Sequence, residues 1–541
     1  MIPRFALGCR IVRWAGLSIA CWVFVTLFWI APSHGEELTD VEAADHAEIL
    51  IDPDNVVRAE LPSTLIGFNI NHFHFQNDLW QQDREQVAPI VIEKLRRLPG
   101  ALYRYPGGLI ANLYWWEETV GPVADRQPQR SVRYADARPV LFGVQEYLEF
   151  VKSVDGYPWY VLNLVGWHSS KMIEKLPAAE IAQSNAALAK YIAKHDPRAD
   201  FPRYYQLGNE LDRAEYQWSH QEYIQRAKST IDSVSAVDPD ARFVAFLRDF
   251  DWTYRGGERD GTVSRYTDFI ADVLKGLPEV EAFSLHFYYD DPGMEERKPK
   301  RIPWRLAQFR RAISAAAQQR RGETLQVWVT EHARGINYPK GRGMDRRRLT
   351  SNLKGTVSTG DFLIALAQMP SVQGASWHGL NAGPWQIFDA SIEHGDLRPR
   401  PIYFGLRVLR AVNLPTVVAT RTRSPNHSGY GGGYDVRAVA FTDSGGDSLG
   451  LWVVNRAQQA MPVTVRLTGW RKQAVEVRHF HISGPPGVDP DQATFDPTVQ
   501  LEPDKQQMAF SQDGTLVLDL PPMSVSGFLI DKRLPAGMRG Q

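Results

Sequence analysis

Cysteine is nearly absent from this 541-residue chain. The only two, Cys9 and Cys21, both lie in the first 35 residues. Beyond that point there is no disulfide, no thiolate nucleophile and no cysteine-based metal site. An excess of one charge is also missing, since 61 Lys and Arg face 62 Asp and Glu. That balance gives no electrostatic ground for a nucleic-acid partner. No G-x-G-x-x-G turn follows the first apolar strand candidate, which argues against a dinucleotide-binding open sheet. No short-period repeat is present. Long hydrophobic runs are lacking, with one exception at residues 15–31, where 17 residues pass without a charge.

That run has a recognisable setting. Arg4, Arg10 and Arg13 precede it, and Ser33 and Gly35 offer small residues just before Glu36. Positive start, apolar middle and small-residue end are the layout of a secretory signal. The expected location is therefore periplasmic or secreted. Seventeen residues sit at the short edge of what crosses a bilayer. An uncleaved anchor through residues 15–31 is the alternative, and it is the one membrane contact expected. The sequence leaves oligomeric state open.

What is abundant is core material and aromatic surface: 43% hydrophobic residues and 16 Trp. From about residue 60 to 412, short apolar runs alternate with amphipathic stretches. The strand candidates are 64–70, 101–106, 159–165, 203–208, 242–247, 282–288, 326–331 and 372–378. Most are apolar throughout, as strands covered on both faces are. Between them, Val144/Leu148/Val151, Ile181/Leu188/Ile192 and Leu306/Phe309/Ile313 each fall on one helix face. Ser219 followed by Glu222 reads as a capping box ahead of the stripe Tyr223, Ala227, Ile231 and Val234. Eight strand–helix units predict an α/β fold, a (β/α)8 TIM barrel. After about residue 413 the runs turn β-like with Gly, Pro, Asn and Asp between them, which predicts a C-terminal antiparallel β-sandwich. The expected division is 1–35 signal peptide or anchor, 36–62 an N-terminal strand segment joining the sandwich, 63–412 barrel and 413–535 sandwich.

In such a barrel the chemistry gathers at the C-terminal ends of the strands. Strand two ends with Arg104 and Pro106-Gly107-Gly108. Strand four ends with Asn209 and Glu210, strand six with His286 and Tyr288, strand seven with Glu331, strand eight with Trp377 and His378. Singly, each has an ordinary reading: a capping or ion-paired Glu, a packing Arg, a core His, a core Trp, a turn. Together and in this order they define a site with two carboxylic acids.

The stretches "LYRYPGG", "QLGNELD", "LHFYY" and "VWVTEHA" resemble the clan A retaining glycoside hydrolases. The resemblance is greatest to the α-L-arabinofuranosidase-like families, with the β-xylosidase and heparanase-like families nearby. It covers roughly residues 60–412, and "RYPGG" followed by "YWWEETVGP" is its most specific part. It implies a general acid/base at Glu210 and a nucleophile at Glu331. Asn209 would hydrogen-bond the sugar 2-hydroxyl, and Arg104 and Tyr288 would hold Glu331 ionised. His286 would line the same subsite, Trp377 would form a stacking floor, and Trp115, Trp116 and Trp167 would stack flanking sugars. The sequence departs from those families at "TEHARG", "LDRAEY" and the aromatic loop "HFHFQNDLWQQ", the parts that choose the sugar.

Retaining hydrolysis needs one acid to protonate the leaving oxygen and one carboxylate about 5–5.5 Å away to attack the anomeric carbon. Residues 210 and 331 can meet only through the fold. The implied function is cleavage of a plant or bacterial oligo- or polysaccharide by double displacement. A non-catalytic carbohydrate-binding protein on a degenerate barrel is the alternative from another class. A metal-dependent hydrolase fits less well, because the His72/His74 and His479/His481 pairs lack a carboxylate-rich partner motif. No metal and no cofactor are expected.

Overall fold

The computed structural model describes residues 46–532, apart from 74–78, 82–83, 130–136, 167–174, 212–217, 247–261, 291–300, 320–324, 336–349, 382, 392–395 and 486–496. The N-terminal apolar run and Trp167 thus lie outside the described residues. Among the described residues, no helix is long and apolar enough to cross a membrane.

Eight parallel strands close into a barrel in chain order. They are Gly67–Asn69, Leu102–Tyr105, Tyr157–Leu162, Tyr204–Leu207, Arg242–Phe246, Val280–Tyr289, Gln326–Arg334 and Val372–Trp377, here barrel strands one to eight. Each falls on an apolar run read from the sequence. The first is shorter than expected because residues 63–65 form a 3₁₀ turn.

Strand six shows how sequence sets the two faces. Phe283, Leu285, Phe287 and Tyr289 belong to the large core shared with the helices. The alternate residues Ala282, Ser284, His286 and Tyr288 therefore face the barrel interior, as a period of two requires. The lower interior is a packed cluster of Leu102, Trp159, Val161, Tyr204, Val244, Ala282 and Trp328. The Trp159 and Trp328 ring centroids are 4.6 Å apart, and Trp159 and Tyr204 stack at 5.1 Å. This aromatic plug makes the barrel a solid support, so chemistry is confined to its rim.

The helix His220–Ser235 starts as the sequence indicates, with the Ser219 hydroxyl accepting from the Glu222 backbone N–H. The reciprocal half of the capping box is replaced, since the Glu222 carboxylate takes Lys175 at 2.8 Å. Tyr223, Ala227, Ile231 and Val234 are all buried.

Apart from two separate two-stranded pairs, the other described strands form one ten-stranded sheet. Residues from far along it, including Ile49, Leu451, Val465, Val477, Leu518 and Ile530, share a single apolar core. The sheet therefore folds over on itself as a sandwich. Ala47–Arg58 lies within this sheet, antiparallel to Thr416–Arg423 and parallel to Met461–Leu467. That parallel pair departs from the purely antiparallel expectation. It arises because the N-terminal strand enters the sheet from the far side of the barrel in sequence. The helices Leu353–Ala367 and Pro401–Arg410 fill the seam. A Cβ on Gly360 would meet Val454 at 3.0 Å and Val525 at 3.1 Å, and the Trp452 indole donates to the Leu409 carbonyl at 2.7 Å.

Candidate active site

Strand two supplies the anchor of the site. Arg104 is fully buried, and its guanidinium uses all three nitrogens. Nε donates to Gln206 Oε1 at 2.9 Å, and one terminal nitrogen to Asn69 Oδ1 at 2.8 Å and Glu331 Oε1 at 3.0 Å. The other donates to Asn209 Oδ1 at 2.6 Å. Four barrel strands are thus tied through one planar, permanently charged group.

The turn after that strand explains "RYPGG". A Cβ on Gly107 would lie 2.1 Å from Asn69 Oδ1, so any larger residue there must displace the Asn69 side chain. Gly108 has φ +76° and starts the 3₁₀ turn Leu109–Asn112. Asn112 at the end of that turn clamps the strand-four tip on both sides. It donates to the Asn209 carbonyl at 2.7 Å and accepts from the Asn209 N–H at 3.1 Å.

At that tip the chain leaves strand four through Gly208 at φ +80° and Glu210 at φ +48°. A left-handed non-glycine residue stores about 1–3 kcal/mol of strain and persists where its surroundings over-determine it. Here the Asn112 clamp does so. Asn209 is fully buried, and its amide nitrogen has no hydrogen-bond partner among the described residues. Glu210 is the more open of the two acids, with its side chain 23% exposed against 3% for Glu331.

Glu331 is inward-facing because of a bulge. Trp328 points into the barrel interior, so strict alternation would send Thr330 there. The register with strand six slips between Val329 and Glu331, which turns Glu331 inward. Its carboxylate accepts from Arg104 and from the Tyr288 hydroxyl at 2.8 Å, and lies 3.2 Å from His378 Nδ1. His286 Nδ1 sits between the two acids, 2.8 Å from Glu210 Oε1 and 3.3 Å from Glu331 Oε2. One oxygen from each glutamate and a His286 nitrogen all lie within 4.8 Å of one another.

The electrostatics separate the groups. Burial alone would push the Glu331 carboxyl up. The charges of His286, His378 and Arg104, with the His378 contact, outweigh it and hold the carboxyl well below its usual range. Burial alone would lower His286, but Glu331 and Glu210 outweigh it and raise it above 6.5. His332, facing away from the site, is pushed down to about 3 by burial and by His378. Its Nδ1 lies 3.1 Å from the Tyr289 hydroxyl. The Glu210, His286 and Glu331 trio has the spacing of a metal site. Its donor environment suits something else: Glu331 is already engaged by a guanidinium, a phenol and two imidazoles, and a cation would face the Arg104 charge at close range.

Of the residues singled out by sequence, Arg104, Asn209, Glu210, His286, Tyr288 and Glu331 come together. Trp377 does not serve as a stacking floor. It is 1% exposed and its indole donates to the Trp385 carbonyl at 2.6 Å. Its side chain belongs to the outer core of the barrel, because strand eight turns the next residue, His378, toward Glu331. Trp116 is bound elsewhere, donating to the Ser184 carbonyl at 3.0 Å and packing on Tyr191. Trp115 is half-buried, and its backbone is pinned by Gln129. Sequence reasoning missed Asn69, Gln206, Asn112 and Trp385. Asn69 had a signal, a polar residue ending the apolar strand "GFN". Trp385 packs edge-on to His378 at 4.5 Å and beside Tyr288 at 5.7 Å, and lay too far past strand eight to be read.

A closed barrel with paired glutamates at strands four and seven, one of them held by a strand-two arginine and a strand-six tyrosine, has the build of the clan A retaining glycoside hydrolases. Within that class the chain resembles the α-L-arabinofuranosidases in sequence and in fold. Residues 94–301 match the family model described as alpha-L-arabinofuranosidase 1 domain. An intracellular exo-α-(1→5)-L-arabinofuranosidase of Streptomyces lividans is 31% identical over 217 residues, 38% of this chain and 31% of that protein. One of the same description from Acetivibrio thermocellus is 25% identical over 255 residues, 45% of this chain and 48% of that protein. The chain thus spans 31% and 48% of the length of these two relatives. In fold, an α-L-arabinofuranosidase from Thermotoga maritima in complex with arabinose matches with a TM-score of 0.68 at 18% identity, covering 90% of this chain and all of that one. A bifunctional glucanase-xylanase, CelM2, matches at 0.59 and 14% identity, covering 90% and 99%.

Proposed function

We propose that the protein is a retaining glycoside hydrolase that cleaves a polysaccharide by double displacement. The observation that carries this is the meeting of Glu210 and Glu331 oxygens within 4.8 Å at the barrel rim, a separation suited to retention. Glu331, kept ionised by Arg104, Tyr288 and the two histidines, attacks the anomeric carbon. Glu210, in contact with His286 and open to the rim, delivers the proton to the leaving oxygen. Forming the glycosyl ester discharges Glu331, and Glu210 then takes a proton from the incoming water. Asn209 offers its amide N–H, unpaired among the described residues, to the sugar hydroxyl beside the cleaved bond.

The similarity to arabinofuranosidases makes a terminal α-L-arabinofuranosyl group the first substrate to test. Export to the periplasm or medium, with residues 1–35 removed or kept as an anchor, belongs to the same proposal. It rests on the Arg-flanked apolar run, and the Streptomyces lividans relative is described as intracellular. Cell fractionation with an antibody tests it, and a chain confined to cytoplasm rejects it. For the chemistry, the full mature chain is assayed on p-nitrophenyl α-L-arabinofuranoside, with product stereochemistry followed by NMR. Retention of configuration and a 2-fluoroglycoside adduct on Glu331 are expected. Inverted product refutes double displacement. Binding of arabinan without turnover or adduct points to a carbohydrate-binding protein instead.

A further inference from the structure

Beyond the two acids, the sheet meets the barrel at the end of barrel strand six. This strand carries His286 and Tyr288, and at its end Asp290 adopts φ +46° and is 3% exposed. Its carboxylate accepts from the Tyr430 hydroxyl at 2.7 Å, the Ser358 hydroxyl at 2.9 Å and Arg456 at 2.9 Å. Tyr430 lies in the glycine-rich stretch 423–435 and Arg456 follows the strand Ser448–Asn455. Both lie in connections between sheet strands, 140 and 166 residues away in sequence. The Arg456 guanidinium also lies 3.8 Å from the centre of the Tyr430 ring, so the two form one rigid unit.

From Asp290 the path to the reacting groups is short. Tyr288 is two residues back, and its hydroxyl donates to Glu331 at 2.8 Å. Arg301 lies 4.0 Å from the Asp290 carboxylate, and the backbone of the tip is held by Arg305 on the Tyr288 carbonyl at 3.2 Å, Arg334 on the Asp290 carbonyl at 3.1 Å and the Gly335 N–H on the Tyr289 carbonyl at 2.7 Å. All of these contacts come from within the barrel. Tyr430 and Arg456 reach this tip from the other domain. A left-handed, buried aspartate that accepts from two hydroxyls and a guanidinium is over-determined, and over-determined strain of this kind sits where geometry matters.

We infer that Tyr430 and Arg456 are positioning residues for the active site: by gripping Asp290 they set where strand six presents His286 and Tyr288 to Glu331. The sheet is then a working part of the catalytic machinery. This rests on the glycosidase reading above. Misplacing a catalytic contact by about 1 Å costs on the order of a hundredfold in rate.

The test uses Tyr430→Phe in the full mature chain. Phenylalanine keeps the ring over Arg456 and removes only the hydroxyl. Tyr434→Phe is the control, since it deletes a neighbouring seam hydroxyl that donates to Asp361 at 2.7 Å rather than to Asp290. On an aryl arabinofuranoside that the wild-type chain cleaves, Y430F is expected to lower kcat at least tenfold with KM little changed, and Y434F to match wild type. The acid limb of kcat/KM should also move to higher pH in Y430F. Glu331 faces Arg104, Glu210, His286, Tyr288 and His378, and a slackened Tyr288 weakens one of the groups holding its carboxyl down. Unchanged kcat and acid limb in Y430F overturn the inference while leaving the glycosidase reading intact. Equal losses in both variants, with equal falls in Tm, also overturn it, as general destabilisation. A wild-type chain inactive on every glycoside tried removes the glycosidase reading and this inference with it.

Discussion

Arg104 and Glu331 form a buried ion pair whose partners cannot be removed without consequence. Truncating Glu331 to Ala strands a guanidinium that is fully buried, and breaking such a pair costs about 3–5 kcal/mol. Glu331→Gln is the better probe, because the amide oxygen still accepts from Arg104. E331Q is expected to retain a native-like melting transition and to lose about a thousandfold or more in kcat. E331A should lose activity and several degrees of Tm together. If E331Q turns over at the wild-type rate, the nucleophile lies elsewhere. The same cluster makes a pH prediction. Glu331's folded carboxyl is lowered, so its stabilisation is present above the unfolded value of about 4.3 and fades as pH falls through the folded one. His286 is raised, so its stabilisation is full below about 6.5 and fades as pH rises through the folded value. Both are present together between about pH 4.3 and 6.5. The Tm difference between wild type and His286→Gln should therefore be largest below about pH 6.5 and shrink in alkali. A difference that grows with pH contradicts the sign argued for His286.

The short elements at the strand ends translate single residues into geometry. The turn 106–112 is the clearest case. Gly107 leaves room for Asn69, Gly108 supplies φ +76°, and Asn112 then reaches the Asn209 backbone. Gly107→Ala should push Asn69 off Arg104, since the new Cβ would fall 2.1 Å from Asn69 Oδ1. A drop of about ten- to a hundredfold in kcat is expected, with a much smaller change in Tm than E331A. Wild-type kinetics in G107A show that Asn69 can move aside freely. The bulge before Glu331 works the same way. From "QVWVTE" alone, alternation out of Trp328 favours Thr330 as the inward residue, and a bulge leaves no reliable mark in one sequence.

Taken whole, the barrel and the sheet share one apolar interior. The main core runs from Leu65 in the barrel through Val408 and Leu409 to Trp452, Val454 and Val525 in the sheet. Cutting the chain after residue 412 would expose that face and free Asp290 and Asp361 from Arg456. Residues 59–412 alone are expected to be insoluble, or to bind a hydrophobic dye without a cooperative melt. A soluble fragment with a sharp melting transition argues that the barrel folds independently of the sheet. Residues 47–58 go with the sheet in such a cut, since they pair with two of its strands.

Local sequence determined the elements: the eight apolar strands, the helix stripes, the Ser219 cap, and glycines where φ or space disfavours any larger residue. It also placed the two glutamates at strand ends, because polar residues that stop a buried strand are readable in one dimension. Which side chains turn inward was decided in three dimensions. Closure of the barrel brought residues 210 and 331 together, a bulge aimed Glu331 at Arg104, and strand eight sent Trp377 into the core and His378 to the site. The sheet's hold on Asp290 belongs to the same class. Contacts between residues more than a hundred positions apart depend on the packing of whole layers, which local pattern does not encode.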